Sequence, residues 1–161
     1  MSRKKCIPDT DAENARLETN KAYLSQYARL FFRKMARAAR IRSMRLEADA
    51  VASVWGEHVS GGEQNAPYVK IVEKIESEEA KLQQEEVLLV MLDQQIQQML
   101  EQLTNPQMQR ILFSRYLLPF PETYTQLAFE LGADRRTVQR METKALKQLH
   151  LPDSPISIGE R

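Results

Sequence analysis

The sequence of 161 residues is poor in residues that break helices, with 5 glycines and 7 prolines. No stretch of it alternates convincingly between apolar and polar residues with the period of two that marks a half-buried strand. Aromatic residues make up 7% of the chain, but 42% of it is hydrophobic and 28% is charged, which supports a real core in a soluble protein. These proportions predict an all-α fold with room for one or two domains.

Other absences narrow the classes of function. Cys6 is the only cysteine, which excludes an intramolecular disulfide, and with His58 and His150 it gives no metal-site spacing, so we expect no metal or other cofactor. No phosphate-binding glycine loop and no nucleophile with a recognisable base is found, so we expect no enzyme. No apolar run follows the basic N-terminus or approaches the length of a membrane span, which predicts a cytoplasmic protein with no membrane partner.

Charge is distributed unevenly along the chain, although its net value is only +1. Residues 16–55 include nine basic and three acidic residues, a net charge of +6, whereas residues 68–103 include three basic and eight acidic residues, a net charge of −5. Residues 104–150 include seven basic and four acidic residues, a net charge of +3. The opposite charges of the first two segments favour their pairing.

Two long helices are predicted in the first two thirds of the chain. Apolar residues recur every three or four positions over 16–55 and again over 68–103. The twelve-residue linker between them forces the helices to be neighbours, which predicts an antiparallel helical hairpin. The predicted organisation is a flexible N-terminus at 1–15, the hairpin at 16–103 with its linker at 56–67, a C-terminal domain at 104–150 and a flexible tail at 151–161.

The second long helix contains the apolar run Val87–Leu92, which we expect to be buried by more than one partner because it is apolar on all sides. Glu79, Glu86 and Asp93 interrupt the apolar stripe of this helix at heptad-like places, which weakens the case for a long symmetric coiled coil. If the chain forms a homodimer, we expect the contact to be made through the long helices.

The first long helix carries eight basic and no acidic residues between positions 21 and 45. The favoured interpretation is that these side chains pair with Glu76, Glu79, Glu86 or their neighbours on the second helix. The alternative is that they form a phosphate-contacting surface that follows a DNA backbone. The four candidates for that surface lie along one helical face: Arg29, Arg33, Arg37 and Arg40.

Residues 123–149 have the spacing of a helix-turn-helix. Ala128 is the small residue needed where the second helix crosses the first, and Gly132 can adopt the positive φ that the turn requires. Val138 is the apolar β-branched residue that points back into the core. Thr123 and Asp134 are suited to cap the two helices.

If Val138 points inward, steps of 100° bring Met141, Ala145 and Leu149 to the same side of the second helix. The opposite side then carries side chains that reach base edges and phosphates, because arginine pairs with guanine, glutamine with adenine, and lysine contacts phosphate. The alternative is a solvated basic face. The predicted DNA-binding residues are Arg135, Arg136, Gln139, Arg140, Thr143, Lys144 and Lys147.

Residues 104–149 resemble the domain of bacterial sigma factors that reads the −35 promoter element. The resemblance rests on Gln109-Arg110-Ile111-Leu112, Arg115-Tyr116, Ala128, Leu131-Gly132, and the pattern from Arg135 through Glu142-Thr143-Lys144-Ala145-Leu146 to Leu149. Behind long helices, such a domain is similar to small phage transcriptional regulators of the RinA and ArpU kind. The resemblance implies binding of double-stranded DNA near a promoter, with RNA polymerase as a further partner. Arg136 stands where primary sigma factors often carry an acidic residue, so we do not expect the usual −35 hexamer as the target.

Two other functions compete with a regulator of phage or prophage late genes. Small terminase subunits of phages also join a helix-turn-helix to long helices, but their DNA-binding domain usually comes first, whereas here it comes last. A recombinase accessory domain would need a catalytic serine or tyrosine domain, for which the chain has no space. The oligomeric mass would distinguish a transcriptional regulator from a packaging subunit, because packaging subunits assemble as rings.

Overall fold

A computed structural model describes residues 10–55 and 66–159 of the chain. This part contains five α-helices and one π-helical turn but no β-strand, which confirms the all-α class. No helix within these ranges is both long and apolar enough to cross a membrane. The elements are α1 (Thr10–Trp55), α2 (Ala66–Leu100), α3 (Pro106–Leu112), the π-helical turn (Phe113–Leu117), α4 (Tyr124–Leu131) and α5 (Arg135–Gln148).

The bounds of the long helices differ from the predicted ones. Helix α1 begins at Thr10 rather than near residue 16, with Asp11 and Glu13 in a first turn that favours acidic side chains. Helix α2 begins at Ala66, inside the predicted linker. Pro67 is compatible with this start, since proline is tolerated in the first turn of a helix. The rest of the predicted linker lies outside the described residues, as do Cys6 and His58.

The chain divides into two compact units. We call Leu30–Val90 the middle unit, and Met1–Arg29 together with Met91–Arg161 the terminal unit. The division differs from the predicted boundary between 103 and 104, since the first part of α1 and the last part of α2 belong with α3, α4 and α5. The reason is that α1 contributes Leu24 and α2 contributes Ile96 to the buried residues of the terminal unit.

In the middle unit, α1 and α2 run in opposite directions. Contacts join Arg33 of α1 to Glu85 of α2, and Arg45 to Glu79, so the position on α2 falls as the position on α1 rises. Ile41, Ala48 and Ile75 form the buried core between the two helices. Met44, Ile71 and Leu82 pack against that core.

Ion pairs centred on Glu85 accompany this core. The Glu85 carboxylate is 3.1 Å from Nε of Arg33 and accepts two hydrogen bonds of 3.0 Å from Arg37, which also pairs with Glu78. The pKa of Arg37 is raised, first by the hydrogen bond to Glu85. Desolvation acts to raise the pKa of Glu78, but hydrogen bonds from Arg37 and Lys81 outweigh it and lower the pKa.

The expected acidic partners are therefore found only in part. Glu79 pairs with Arg45, and Glu86 lies 3.6 Å from Lys34, whereas Glu76 is exposed. The carboxylate that is buried is that of Glu85, which is only 5% exposed. It lies on the side of α2 that faces α1, where Arg33 and Arg37 replace the water that its charge has lost.

The expectation that the run Val87–Leu92 is buried on all sides is wrong. Leu89 and Leu92 are buried, but Val87, Val90 and Met91 are 60%, 58% and 47% exposed. The run therefore has one buried side, like the rest of a helix that is packed on one side only.

The terminal unit joins segments that are far apart in sequence through the amide group of Asn20. This side chain is 1% exposed, and its Nδ2 donates to the backbone oxygens of Leu146 at 2.7 Å and Leu149 at 2.9 Å. Both carbonyls lie at the end of α5, where helix carbonyls lack partners within the helix. Asn20 of α1 therefore caps the C-terminus of α5.

Residues 151–159 belong to the segment predicted to be a flexible tail. They have no regular secondary structure, but glutamine side chains hold their backbone. Gln26 accepts from the nitrogen of Ile158 and donates to the oxygen of Ile156, and Gln95 accepts from the nitrogen of Ile156 and donates to the oxygen of Ser154. Sequence periodicity does not report such contacts, because a tail without helical pattern can still be anchored by side chains elsewhere.

Replacement of Arg37 tests the ion pairs of the middle unit. We expect Arg37→Ala to lower the free energy of unfolding by about 3 kcal/mol, because the buried Glu85 and the half-buried Glu78 would keep their positions with fewer partners. Lys74→Ala, at an exposed position of α2, is the matched control and should change it by less than about 0.5 kcal/mol. Urea unfolding measures both values, and equal effects would contradict the role assigned to Arg37.

Candidate nucleic-acid interface

The predicted N-cap of α4 at Thr123 is confirmed, and the helix begins at Tyr124. The hydroxyl of Thr123 accepts from the backbone nitrogen of Gln126, and the side-chain oxygen of Gln126 accepts from the backbone nitrogen of Thr123 at 2.8 Å. This reciprocal pair satisfies two donors that a helix start leaves unpaired. The sequence Thr-x-x-Gln thus fixes where α4 begins.

The turn between α4 and α5 depends on Gly132, which has φ 64° and ψ 32°. This left-handed conformation is accessible to glycine without steric cost. Two residues later, the carboxylate of Asp134 accepts from the backbone nitrogen of Thr137 at 2.6 Å and caps α5, as predicted. Hydrogen bonds from the side chain and then from the backbone of Thr137 lower the pKa of Asp134.

The crossing of α4 and α5 has a small buried core. Ile111 of α3, Leu127 and Ala128 of α4, and Val138 of α5 form it. The inward orientation predicted for Val138 is confirmed, and Ala145 and Leu149 are fully buried on the same side of the chain. These contacts fix which side of α5 faces away from the core.

The side of α5 that faces away carries the predicted DNA-binding side chains. Arg135 is exposed at the first position of the helix. The sole acidic residue of α5, Glu142, is buried, so the outward charge of this helix is entirely positive. The other six side chains line one open concavity of about 450 Å³: Arg136, Gln139, Arg140, Thr143, Lys144 and Lys147.

Glu142 has a structural role that the sequence analysis did not predict, since the residue appeared there only as a member of the sigma-like pattern. It is 6% exposed, and its carboxylate accepts hydrogen bonds from the hydroxyls of Tyr116 at 3.0 Å and Tyr124 at 2.5 Å. These tyrosines belong to the π-helical turn and to α4. Glu142 therefore joins α5 to both neighbouring elements.

A signal for this role was present in the sequence. Glu142 follows Val138 by four residues and precedes Ala145 by three, so steps of 100° place it on the buried side of α5. A carboxylate there requires hydrogen-bond donors, which Tyr116 and Tyr124 supply. Burial first, and then the charge of Glu142, raises the pKa of Tyr116. Burial and the hydrogen bond to Glu142 raise that of Tyr124.

Arginines outside α5 hold the loop that leads into α4. Arg110 of α3 lies 3.0 Å from Glu122 and 2.9 Å from Glu130, and Ser114 donates to Glu122 at 2.5 Å. Arg115 donates to the backbone oxygen of Glu122 at 3.1 Å and lies over the ring of Tyr124. The hydrogen bond from Ser114 and the charge of Arg110 lower the pKa of Glu122. Arg110 and Arg115 of the sigma-like pattern thus position α4.

The structure places the four candidates for a second phosphate surface in different surroundings. Arg33 and Arg37 are engaged with Glu85 in the middle unit, whereas Arg29 and Arg40 are exposed. Only the exposed pair is therefore accessible to a phosphate without the loss of an ion pair. On α5, Lys147 lies 3.9 Å from Glu13 in the first turn of α1.

Comparison of this chain with family models, with curated proteins and with solved structures finds no match. The resemblance to sigma factors therefore rests on the sequence pattern of residues 104–149.

Substitutions at Ala128 and Gly132 test the packing that orients α5. Ala128→Leu should lower the free energy of unfolding by about 1–3 kcal/mol through overpacking. Gly132→Val should lower it by about 1–2 kcal/mol or more through backbone strain alone, since an added Cβ meets no atom within 4 Å. The control for Ala128→Leu is Thr125→Leu, since Thr125 is exposed on α4. The control for Gly132→Val is Gly132→Asn, since asparagine tolerates the left-handed conformation. Urea unfolding measures these free energies. Equal values for a variant and its control would contradict the close packing at Ala128 or the need for glycine at position 132.

Alkaline unfolding tests the tyrosine pair on Glu142. The folded protein holds the protons of Tyr116 and Tyr124 more tightly than the unfolded chain, since both pKa values are raised. Their contribution to stability is therefore complete below the ordinary tyrosine pKa of about 10 and is lost as the pH rises above it. The free energy of unfolding should fall less steeply above about pH 10 in the double variant Tyr116→Phe, Tyr124→Phe. Identical slopes would show that these hydroxyls are not coupled to folding.

Proposed function

We propose that this chain is a sequence-specific DNA-binding regulator of transcription that reads the major groove with α5. The observation that carries the proposal is that six polar or basic side chains of α5 line one open concavity, with the buried core on the other side of the same helix. A major groove about 12 Å wide admits one α-helix, whose exposed side chains then face the base edges.

The chemistry of this face supports reading of bases as well as binding of phosphates. Arg136 and Arg140 are exposed, and an arginine can donate two hydrogen bonds to one guanine. Gln139 between them can pair with adenine. Lys144 and Lys147 follow toward the end of the helix, where lysines suit phosphate contacts that carry no base information.

The electrostatics of α5 favour a polyanion as the partner. Arg135, Arg136, Arg140, Lys144 and Lys147 give the helix five cationic side chains, and its one carboxylate is withdrawn into the core. A protein that neutralises phosphates releases counterions, so affinity should fall as salt rises. Binding through this face should therefore be salt-dependent.

The sigma-like pattern supports a promoter as the site of action and RNA polymerase as a partner. Its combination with long helices supports a regulator of phage or prophage late genes. A homodimer would be formed through the long helices.

Selection of binding sites from randomised DNA duplexes, followed by fluorescence anisotropy, tests the proposal. Arg136→Ala and Arg140→Ala should each weaken binding to the selected site by about 1–3 kcal/mol, with little change on random duplexes. Lys147→Ala should weaken binding to both kinds of duplex alike, because it removes a phosphate contact.

Lys74→Ala on α2 serves as the control for loss of one positive charge, and its affinity should equal that of the unaltered chain. Recovery of no preferred sequence, or unchanged affinity in all three α5 variants, would refute DNA reading by this helix.

A further inference from the structure

The middle unit exposes a heptad-spaced row of small and apolar residues on α1, away from its core. The row repeats with alternating steps of three and four residues, the spacing of a coiled-coil seam. We call it the outer seam, and over 18 residues of helix it is about 27 Å long. All its members are exposed, Leu46 by 71%: Ala36, Ala39, Ser43, Leu46, Ala50 and Ser53.

The outer seam is distinct from the side of α1 that packs on α2. Ile41 and Ala48, which are buried against α2, occur at other heptad positions. Met35 and Val54, which are 49% and 65% exposed, adjoin the outer seam and extend its apolar surface. The small side chains of Ala36, Ala39 and Ala50 would allow another helix backbone to approach closely.

We propose that the outer seam binds the outer seam of a second copy of this chain, with the two α1 helices antiparallel. In a two-fold symmetric contact the same residues serve both partners. If Ser43 lies opposite Leu46 of the second copy, then Ala39 lies opposite Ala50 and Ala36 opposite Ser53. Every residue of the outer seam then meets another residue of the outer seam.

The charges beside the outer seam favour this register. Arg40 and Glu47 are exposed along one edge, and Arg42 and Asp49 along the other. In the antiparallel register Arg40 comes beside Glu47 of the second copy, and Arg42 beside Asp49. Symmetry makes each pair twice, which gives four contacts between opposite charges and none between like charges.

A parallel arrangement satisfies fewer of these charges. In a parallel coiled coil, an edge residue of one copy faces the residue five positions later on the other copy. Arg42 would then face Glu47, whereas Arg40 would face the apolar Met35 and Asp49 the apolar Val54. Edge charges of this kind determine partner choice and orientation more than affinity. Because the outer seam is short and its side chains are small, we expect a dissociation constant in about the micromolar range.

Self-association does not depend on the proposed DNA binding, although a pair of chains would offer two copies of α5 to a DNA site. The first test therefore uses the full chain without DNA, with mass measured by sedimentation equilibrium from about 1 to about 200 µM. The expected result is a concentration-dependent change from one chain to two. A single chain throughout, or a ring of eight or more, would overturn the proposal.

A matched pair of substitutions locates the contact. Ala50→Glu places a charge within the outer seam and should raise the dissociation constant about tenfold or more. Ala52→Glu makes the same change at an exposed position two residues away, outside the seam, and should leave the constant unchanged. Equal effects of the two substitutions would overturn the assignment of this face, and circular dichroism checks that both variants keep their helices.

Reversal of charge tests the register. The variant Arg40→Glu, Arg42→Glu and the variant Glu47→Arg, Asp49→Arg should each fail to self-associate, while an equimolar mixture should form a pair. A mixture that stays monomeric would overturn the pairing of these edges.

Crosslinking tests the orientation, in a background of Cys6→Ser. Chains with Ala39→Cys alone or Ala50→Cys alone should form no disulfide on air oxidation, whereas their mixture should form one. Crosslinking of each variant with itself would show a parallel contact and overturn the antiparallel one.

Discussion

The carboxylate of Glu142 is the group on which the position of α5 depends. A carboxylate that is removed from water is unfavourable by several kcal/mol unless donors replace the lost solvent. Tyr116 and Tyr124 supply those donors from two different elements. Rotation or sliding of α5 would carry Glu142 away from at least one hydroxyl, so this contact fixes the rotation of the helix. The direction in which Arg136 and Arg140 project follows from that rotation.

The core of the middle unit and the end of the chain in the terminal unit are held by different polar groups. In the middle unit, charged side chains surround Glu85, and such contacts weaken when the pH or the ionic strength changes. In the terminal unit, the neutral amides of Asn20, Gln26, Gln95 and Gln102 bind backbone atoms near the C-terminus. Amides do not titrate, so these contacts persist over the pH range in which carboxylates change charge. The amide contacts that hold the end of the chain are therefore less sensitive to acid than the ion pairs of the middle unit.

Features set by neighbouring residues could be predicted from the sequence. The caps at Thr123 and Asp134 and the turn at Gly132 depend on residues within one helical turn, and all three are as predicted. Features set by distant residues could not be predicted. Asn20 binds a carbonyl 129 residues away, and no local pattern indicates that contact. Likewise, the apolar run at Val87–Leu92 suggested burial on all sides, but burial depends on how many elements surround a helix, which composition does not specify. The DNA-binding role of the α5 side chains remains a prediction of both the sequence and the geometry.

The discontinuity of the terminal unit has a consequence for biosynthesis. The middle unit is one continuous segment, Leu30–Val90, whereas the terminal unit combines Met1–Arg29 with Met91–Arg161. As the chain leaves the ribosome from its N-terminus, the middle unit has all its residues first. Asn20 is synthesised early, but its amide can bind the carbonyls of Leu146 and Leu149 only after those residues have been synthesised. The burial of Leu24, which is complete in the folded chain, therefore has to be completed after the residues of the second segment have been synthesised.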